Sequence, residues 1–422
     1  MAEKFFVMGI GFFVTTLVAR YLGPEQYGVL SYAISVTGIF SVTGHLGLVG
    51  LLSREIVKKN SDQNQLLGTS FALKFFGSII GILFLILYAF FVEKNQNVEF
   101  WVLLIVASSL LFKSVDVIVI WFQAHLQAKL IAIAQITTLL FSSILKIAMV
   151  LCGANLLFFA FSVPLQTFFL AFFLIILFNR KSGFPIAKWS FSLSKARELL
   201  SSSQFIFLAS ILATIYLKID QVMIKWLVGT EEVGIYAIAA TLSEVWYFVP
   251  TAIVTSLFPK FIQLKKNDPK WYHYRLQQTF ELLFYSSLAV ALLITFVSEP
   301  VILLFFGDKY RMSISILNIH IWASLFIFMR AAFSQWLIIE NALSFSLITQ
   351  GCGALANVGL NLLLIPKYGG RGAAIATLLS YAIASYFSLL LFSKTRIIFW
   401  MMTKAILAPI LYPLHHIIKK IR

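Results

Sequence analysis

The sequence predicts an all-α polytopic membrane protein of about twelve transmembrane helices, and three observations carry that prediction. First, 60% of its 422 residues are hydrophobic and only 12% are charged, against about 45–50% and about 25% in soluble domains. Second, uninterrupted apolar runs of about 20 residues, the length that crosses about 30 Å of hydrocarbon as a helix, recur along the whole chain. Third, the 33 Lys and Arg outnumber the 17 Asp and Glu. They lie in short clusters between apolar runs, as in multi-pass proteins, not in a basic soluble domain that would hold nucleic acid. These features exclude a soluble enzyme, a disordered chain and a small disulfide scaffold.

The runs place spans at 3–21, 28–52, 66–92, 100–122, 128–151, 155–178, 200–222, 231–258, 279–298, 312–339, 344–366 and 371–393. They are continuous, so a barrel of short alternating strands is excluded. The first span is the weakest: only Phe5 to Val18 is free of charge, about 21 Å of helix, so a start upstream of Met1 is expected. No small-residue cleavage site follows it, as a signal peptide would require. Cys152 and Cys352 lie far apart and suggest small buried residues, with neither a disulfide framework nor a metal site.

Basic residues orient the spans. Even-numbered connections and the C-terminal tail hold twenty, among them Arg54, Arg180, Lys181, Lys265 and Lys266; odd-numbered connections hold eight, among them Arg20, Lys225 and Arg371. The positive-inside rule then puts the even connections and both termini in the cytoplasm. The most basic connection divides the chain into a six-helix bundle at 1–178, a linker at 179–199, a second six-helix bundle at 200–393 and a tail at 394–422. Residues 397–418 are apolar but contain Lys404, Pro409 and Pro413. They read as a helix interrupted by proline and lying at the interface, with Lys419, Lys420 and Arg422 near anionic headgroups.

A trace of duplication links the halves. Arg20-Tyr-Leu-Gly23-Pro-Glu25-Gln-Tyr-Gly28 follows the first span, and Lys225-Trp-Leu-Val-Gly229-Thr-Glu231-Glu-Val-Gly234 follows the seventh. Both carry G-x-E-x-x-G. The first Gly can end a helix in a left-handed cap, the acid suits the first turn of the next helix, and the second Gly permits close helix approach. The motif is expected to serve architecture, not substrate contact.

These residues carry a wider pattern. LVARYLGPEQYGVLSYA near 18–34, KIDQVMI at 218–224, the segment at 233–259 and NVGLNLLLIPKYGGRGAAIATLLSYAIASYF at 357–387 resemble the oligosaccharide flippases. These are the Wzx-type O-antigen and polysaccharide exporters of the MATE/lipid-flippase (MOP) superfamily. The resemblance implies two six-helix bundles around a central cavity, working by alternating access. It implies as cargo an undecaprenyl-diphosphate-linked oligosaccharide flipped across the inner membrane, with a glycan polymerase as a downstream partner and no cofactor.

Charges inside spans mark candidate sites, because a group deep in the bilayer is costly unless it faces a bundle interior or a wet cavity. The basic ones are Lys74, Lys113, Lys146 and Arg330, and the acidic ones Asp116 and Glu244, with Asp220 near a span end. The basic excess suits an anionic guest such as a diphosphate. Arg330, central in its span without an acidic neighbour at helical spacing, is expected to line the cavity and grip phosphate bidentately. Lys113 and Asp116, at i and i+3, either neutralise each other or contact substrate. Lys74 and Lys146 are placed to snorkel toward the interface or to meet the ligand. Glu244, Asp116 and Asp220 are the candidates for coupling to H+ or Na+. Asn357 and Asn361 read as interhelical hydrogen-bond glue, and His45 and His320 as isolated, satisfied polar contacts.

No G-x-x-x-x-G-K-[ST] or H-E-x-x-H occurs, which argues against ATP hydrolysis and zinc-dependent chemistry. A membrane polymerase or glycosyltransferase would need a larger outward loop than these connections provide. A drug exporter or a peptidoglycan-precursor exporter of the same superfamily stands as the alternative.

Overall fold

The computed structural model describes residues 2–57, 62–93, 97–342 and 344–421, with side chains described over 7–408 of these. Lys58, Lys59, Lys94 and Arg422, which enter the charge bias, lie outside the described residues, as do the side chains of Lys4, Lys419 and Lys420. Every element among the described residues is helical. In hydrocarbon each backbone N–H and C=O must find its partner within the segment, which a helix alone achieves without a closed barrel.

Among the described residues, ten helical stretches are long and apolar enough to cross a membrane. Two of them each hold two of the twelve predicted spans. Val7–Val57 has 51 residues, about 77 Å of helix, more than twice the hydrocarbon thickness. Within it α1 (Ala2–Phe40) is broken at Gly23, whose φ of 73° and ψ of 172° are non-helical. Likewise α16 (Ser344–Ser385) is broken at Gly369, with φ 57° and ψ −136°. Both turns fall where the sequence placed connections.

The chain forms two compact units, Met1–Gly234 and Ile235–Arg422. The seventh span, α10 (Leu193–Leu227), belongs with the first unit: Ser35 Oγ of α1 donates to Gln221 Oε1 of α10 at 2.8 Å. The boundary drawn by packing therefore falls later than the basic linker at 179–199.

In the first unit, α2 (Val42–His45) and α3 (Leu48–Val57) continue the second span beyond α1, interrupted by Leu46 and Gly47 at φ 50° and 66°. The third span, α4 (Gln63–Val92), starts on Asp62, whose carboxylate accepts from Asn64 N and Gln65 N. Its Gly77 and Gly81 form a G-x-x-x-G face against the α1–α2 junction. A Cβ on Gly77 would overlap the Thr43 carbonyl, and one on Gly81 would overlap the Thr43 hydroxyl. The fourth span is assembled from α5 (Val98–Ala107), α6 (Ser109–Lys113) and α7 (Asp116–Ala124). At its two breaks Ser108 Oγ donates to Ile105 O at 2.6 Å and Ser114 Oγ to Leu111 O at 2.7 Å, bonds that compete with the helix ladder. The next two spans are α8 (Ala128–Leu151) and α9 (Leu156–Lys181).

The two G-x-E-x-x-G copies meet each other. A Cβ on Gly28 would overlap the carbonyl oxygen of Thr230, and one on Gly234 would overlap that of Pro24. Each copy's second glycine thus sits on the residue that follows the other copy's first glycine, the reciprocity of an isologous contact.

The second unit begins at Ile235 within α11 (Thr230–Glu244), which leads through a 3-10 turn into α12 (Phe248–Asn267), followed by α13 (Pro269–Phe305), α14 (Met312–His320) and α15 (Ser324–Ile339). Phe261, Phe280, Phe333 and Met402 centre its core. The last two spans form an antiparallel hairpin within α16. Gly353 lies on Ala384, Asn357 Nδ2 donates to Ser380 Oγ at 3.3 Å, and Gly372 packs on the Leu364 backbone across the Gly369 turn. Asn361 Nδ2 donates to Asn357 Oδ1 at 3.1 Å, so the two asparagines tie the hairpin as the sequence suggested.

The tail is α17 (Ser393–Ile421), a single helix that continues through Pro409 and Pro413, where a break was expected. It docks on α13, with Tyr285 Oη donating to Ala405 O at 3.1 Å and Gln277 Nε2 to Met401 O at 3.2 Å. Both thiols are unbridged, but Cys152 is exposed and Cys352 half-buried. This corrects the expectation of burial: Cys152 sits in the last-turn cap of α8 and not on a packed face. Large apolar side chains face outward throughout, such as Phe91, Phe296 and Leu355, which suits lipid and would aggregate in water.

Because the atoms under the motif glycines are backbone, they have no rotamer with which to yield. Gly234→Val is expected to cost about 1–3 kcal/mol of stability, whereas Gly359→Ala, with nothing within 4 Å of its added Cβ, should leave thermal unfolding in detergent unchanged.

Candidate functional site

The intramembrane charges sort into five places. In the first unit Lys74, Lys113 and Asp116 come together, and His45 joins them: Asp116 has Lys74 and Lys113 as its charged neighbours, and His45 has the same two lysines. The local sequence explains the assembly. The G-x-x-x-G face draws α4 onto the α1–α2 junction, so Lys74 and His45 share one interface. The serine-loosened fourth span ends one helix on Lys113 and begins the next on Asp116. Beside His45, Leu46 holds a positive φ, a costly conformation for a branched side chain and one that persists where the surroundings impose it.

Lys74 is 1% exposed, and its Nζ is buried without a hydrogen-bond partner. The snorkelling expectation is therefore corrected. Lys74 lies on the part of α4 that packs against α2, where its backbone carbonyl and Ser78 approach Gly44, and its side chain is buried and does not reach the surface. Lys113 and Asp116 are not an isolated i, i+3 pair either, since the Lys74 charge also acts on the Asp116 carboxylate. His45, read from sequence as an isolated contact, belongs to this cluster. No regular spacing links positions 45, 74 and 113, so only packing could reveal it.

Lys146 stands elsewhere in the unit. Its Nζ reaches Gln166 Oε1 at 3.4 Å, the same oxygen that Ser142 Oγ bonds at 3.0 Å. Asp220 is buried on α10, 4% exposed.

In the second unit Arg330 of α15 grips protein. Its Nη1 donates to Ala384 O at 2.8 Å, and both terminal nitrogens lie 3.3 Å from Thr349 Oγ1. Its guanidinium also lies over the Phe333 ring, 5.7 Å from the centroid. It clamps α15 onto both arms of the α16 hairpin, a task that uses the bidentate geometry expected to hold phosphate. Glu244 closes α11, half-buried at the 3-10 turn into α12.

A further network escaped sequence reading. Lys225, the basic residue ahead of the second G-x-E-x-x-G copy, is ion-paired with Glu93 and, at 3.1 Å, with Glu99. It also lies 4.9 Å from the Tyr32 ring centroid. Tyr32 Oη bonds Tyr88 Oη at 2.8 Å and Glu93 at 3.2 Å, and Trp226 Nε1 donates to Tyr88 at 3.1 Å. Burial pushes the Glu93 carboxyl above the usual carboxylate range; the Lys225 ammonium pulls it back, and Glu99 adds to the rise. This clasp joins α1, α4, α5 and α10 beside a cavity of about 450 Å³ lined by Glu25, Asn97, Glu99 and Asn155. The recurring basic-aromatic-Leu triplet was its one sequence signal.

Helices broken beside buried charges, on a scaffold of paired helical hairpins, define a class: an all-α multi-pass membrane protein. Two solved structures share the fold over nearly the whole chain. One is described as the lipid II flippase MurJ in an inward closed conformation, with TM-score 0.72, 17% identity, and 98% of this chain and 92% of that one covered. The other is an inward-facing multidrug resistance MATE family transporter of the MOP superfamily, with TM-score 0.68, 14% identity, and 94% and 95% covered. The family model described as "Polysaccharide biosynthesis protein" matches residues 17–315, and the chain belongs to that family. A probable flippase, AglR of Haloferax volcanii, is 30% identical over 202 residues. The match covers 46% of this chain and 41% of that relative, so the chain spans less than half the length of the curated protein it matches.

Removing one member of a buried ion pair leaves the other uncompensated, at about 3–5 kcal/mol. Lys225→Met is therefore expected to lower the thermal unfolding temperature markedly, and adding Glu93→Gln to recover part of the loss. A double-mutant cycle followed by thermal unfolding in detergent measures the coupling.

Proposed function

We propose that this protein is a flippase that moves a polyprenyl-diphosphate-linked oligosaccharide across the cytoplasmic membrane by alternating exposure to its two sides. The observation that carries the proposal is the buried, unbonded Lys74 ammonium beside Lys113, Asp116 and His45. A buried cation without a hydrogen bond is expensive to keep, and two lysines against one carboxylate leave positive charge uncompensated. A diphosphate supplies both the missing charge and the missing acceptors. The family's description, a polysaccharide biosynthesis protein, supports a glycan cargo, and the name of the haloarchaeal relative, a probable flippase, supports flipping.

In this reading Lys74 and Lys113 bind phosphate, while Asp116 holds the lysines charged when the site is empty. Lys146 contacts the guest's polar portion through the Gln166 pair, and Arg330 serves as a brace that keeps the α16 hairpin in register. Glu244 and Asp220, with Asp116, are the carboxylates through which H+ or Na+ would couple. A site for cationic drugs would need the opposite balance of charge.

Stability and transport should respond in opposite directions at Lys74. Lys74→Met removes an unsatisfied buried charge, so its unfolding temperature is expected to stay level or rise. Loss of a charged hydrogen bond to phosphate should reduce flipping about tenfold or more. Proteoliposomes loaded with fluorescent polyprenyl-diphosphate oligosaccharide read the transport, and export in cells should fall in parallel with protein level unchanged. Full transport by Lys74→Met would remove the lysine from the cargo site.

A further inference from the structure

The basic end of the second unit holds a cavity that the transport reading does not use. α12 and α13 meet at Asp268, whose carboxylate caps the second helix by accepting from Trp271 N at 3.0 Å. Beyond that turn the helices enclose about 570 Å³, within the size of known ligand pockets. On α13, Trp271, Arg275, Gln278 and Leu282 line it at i, i+4, i+7 and i+11, which is a single helix face. Lys260 and Leu257 face them from α12.

Charge and layering identify the guest. No carboxylate lines the cavity among the described residues, so Lys260 and Arg275 are not neutralised within it. A cavity on the other side of α12 behaves differently: its Lys265 is ion-paired with Glu340 at 2.9 Å and donates to Ile339 O at 3.0 Å. Arg275 is pre-oriented, with its guanidinium 4.8 Å from the centroid of Trp271 and Nη1 donating to Gln278 Oε1 at 2.9 Å. The apolar walls Leu257 and Leu282 lie farther from the Asp268 turn than the basic pair, along helices that run into the hydrocarbon. Leu282 is itself half exposed to the surroundings. Head-binding groups at the membrane edge with an apolar wall deeper in match an amphiphile standing in its own leaflet.

We infer that this cavity seats an anionic phospholipid of the surrounding bilayer, its phosphate between Lys260 and Arg275 and an acyl chain against Leu257 and Leu282. Trp271 closes the headgroup level, where amphipathic aromatic rings settle.

The test uses the full chain, equilibrated with phosphatidylcholine vesicles doped with phosphatidylglycerol and then released into mild detergent for native mass spectrometry. Selective retention of phosphatidylglycerol is expected, and Lys260→Gln with Arg275→Gln should reduce it about tenfold. Lys266→Gln with Lys270→Gln removes the same charge from the same end and should leave retention intact. Leu282→Trp fills the cavity with the charges kept and should also reduce retention, which covers the case of a poorly folded charge variant. Equal loss in both charge variants would reduce the effect to general attraction and overturn the inference, as would equal retention of phosphatidylcholine. Displacement by inorganic phosphate alone would make the site a free-anion site, and preferential displacement by polyprenyl phosphate would make it a cargo site; either result overturns the inference. Retention is read without transport, so its failure is distinct from a failure of the flippase reading.

Discussion

Within a bilayer, helices gain little by burying apolar side chains against one another, because lipid tails are equally apolar. Association must come from close backbone approach and from polar contacts that have no other partner. This constraint organises both units. Gly77 and Gly81 admit α4 against Thr43, Gly28 and Gly234 admit the two motif copies against each other, and Gly353 and Gly372 close the last hairpin. Where glycine brings helices together, polar groups lock them: Asn357 to Ser380, Arg330 to Thr349 and Ala384, and Lys225 to Glu93 and Glu99.

The candidate site follows from the same constraint. The glycine face that draws α4 inward also carries Lys74 away from any interface and into the company of His45, Lys113 and Asp116. The unit bears the cost of an enclosed ammonium in a region whose helices are already interrupted by Ser108, Ser114 and the left-handed Leu46–Gly47 turn. Irregular backbone at membrane depth is tolerated where it is shielded by protein or lines a cavity. The proposed role in holding a polyanion is a coherent reason for a structure to keep such a combination.

Arg330 illustrates how a functional residue type can be engaged in architecture. Its position, mid-span with no acidic neighbour, suggested a phosphate grip. Packing gives its guanidinium a carbonyl and a hydroxyl from two arms of one hairpin, which are distant in sequence and unrecognisable as partners before folding. Lys225 shows the converse. It looked like an ordinary connection charge, and it proves to be the centre of a buried clasp.

The all-α polytopic fold class and the position of both glycine turns were determined by sequence alone, because the cost of unsatisfied backbone in lipid forces long apolar runs into helices whatever their neighbours. The paired role of the asparagines was also legible, since i, i+4 amides on an apolar helix have few other partners. Tertiary structure decided which charges meet, that Lys74 is enclosed and unable to snorkel, and that the seventh span packs with the first unit. These depend on contacts between residues tens to hundreds of positions apart, set by glycine-scale shape complementarity. Apolar periodicity in a membrane chain reports depth and hardly reports which helix face meets which.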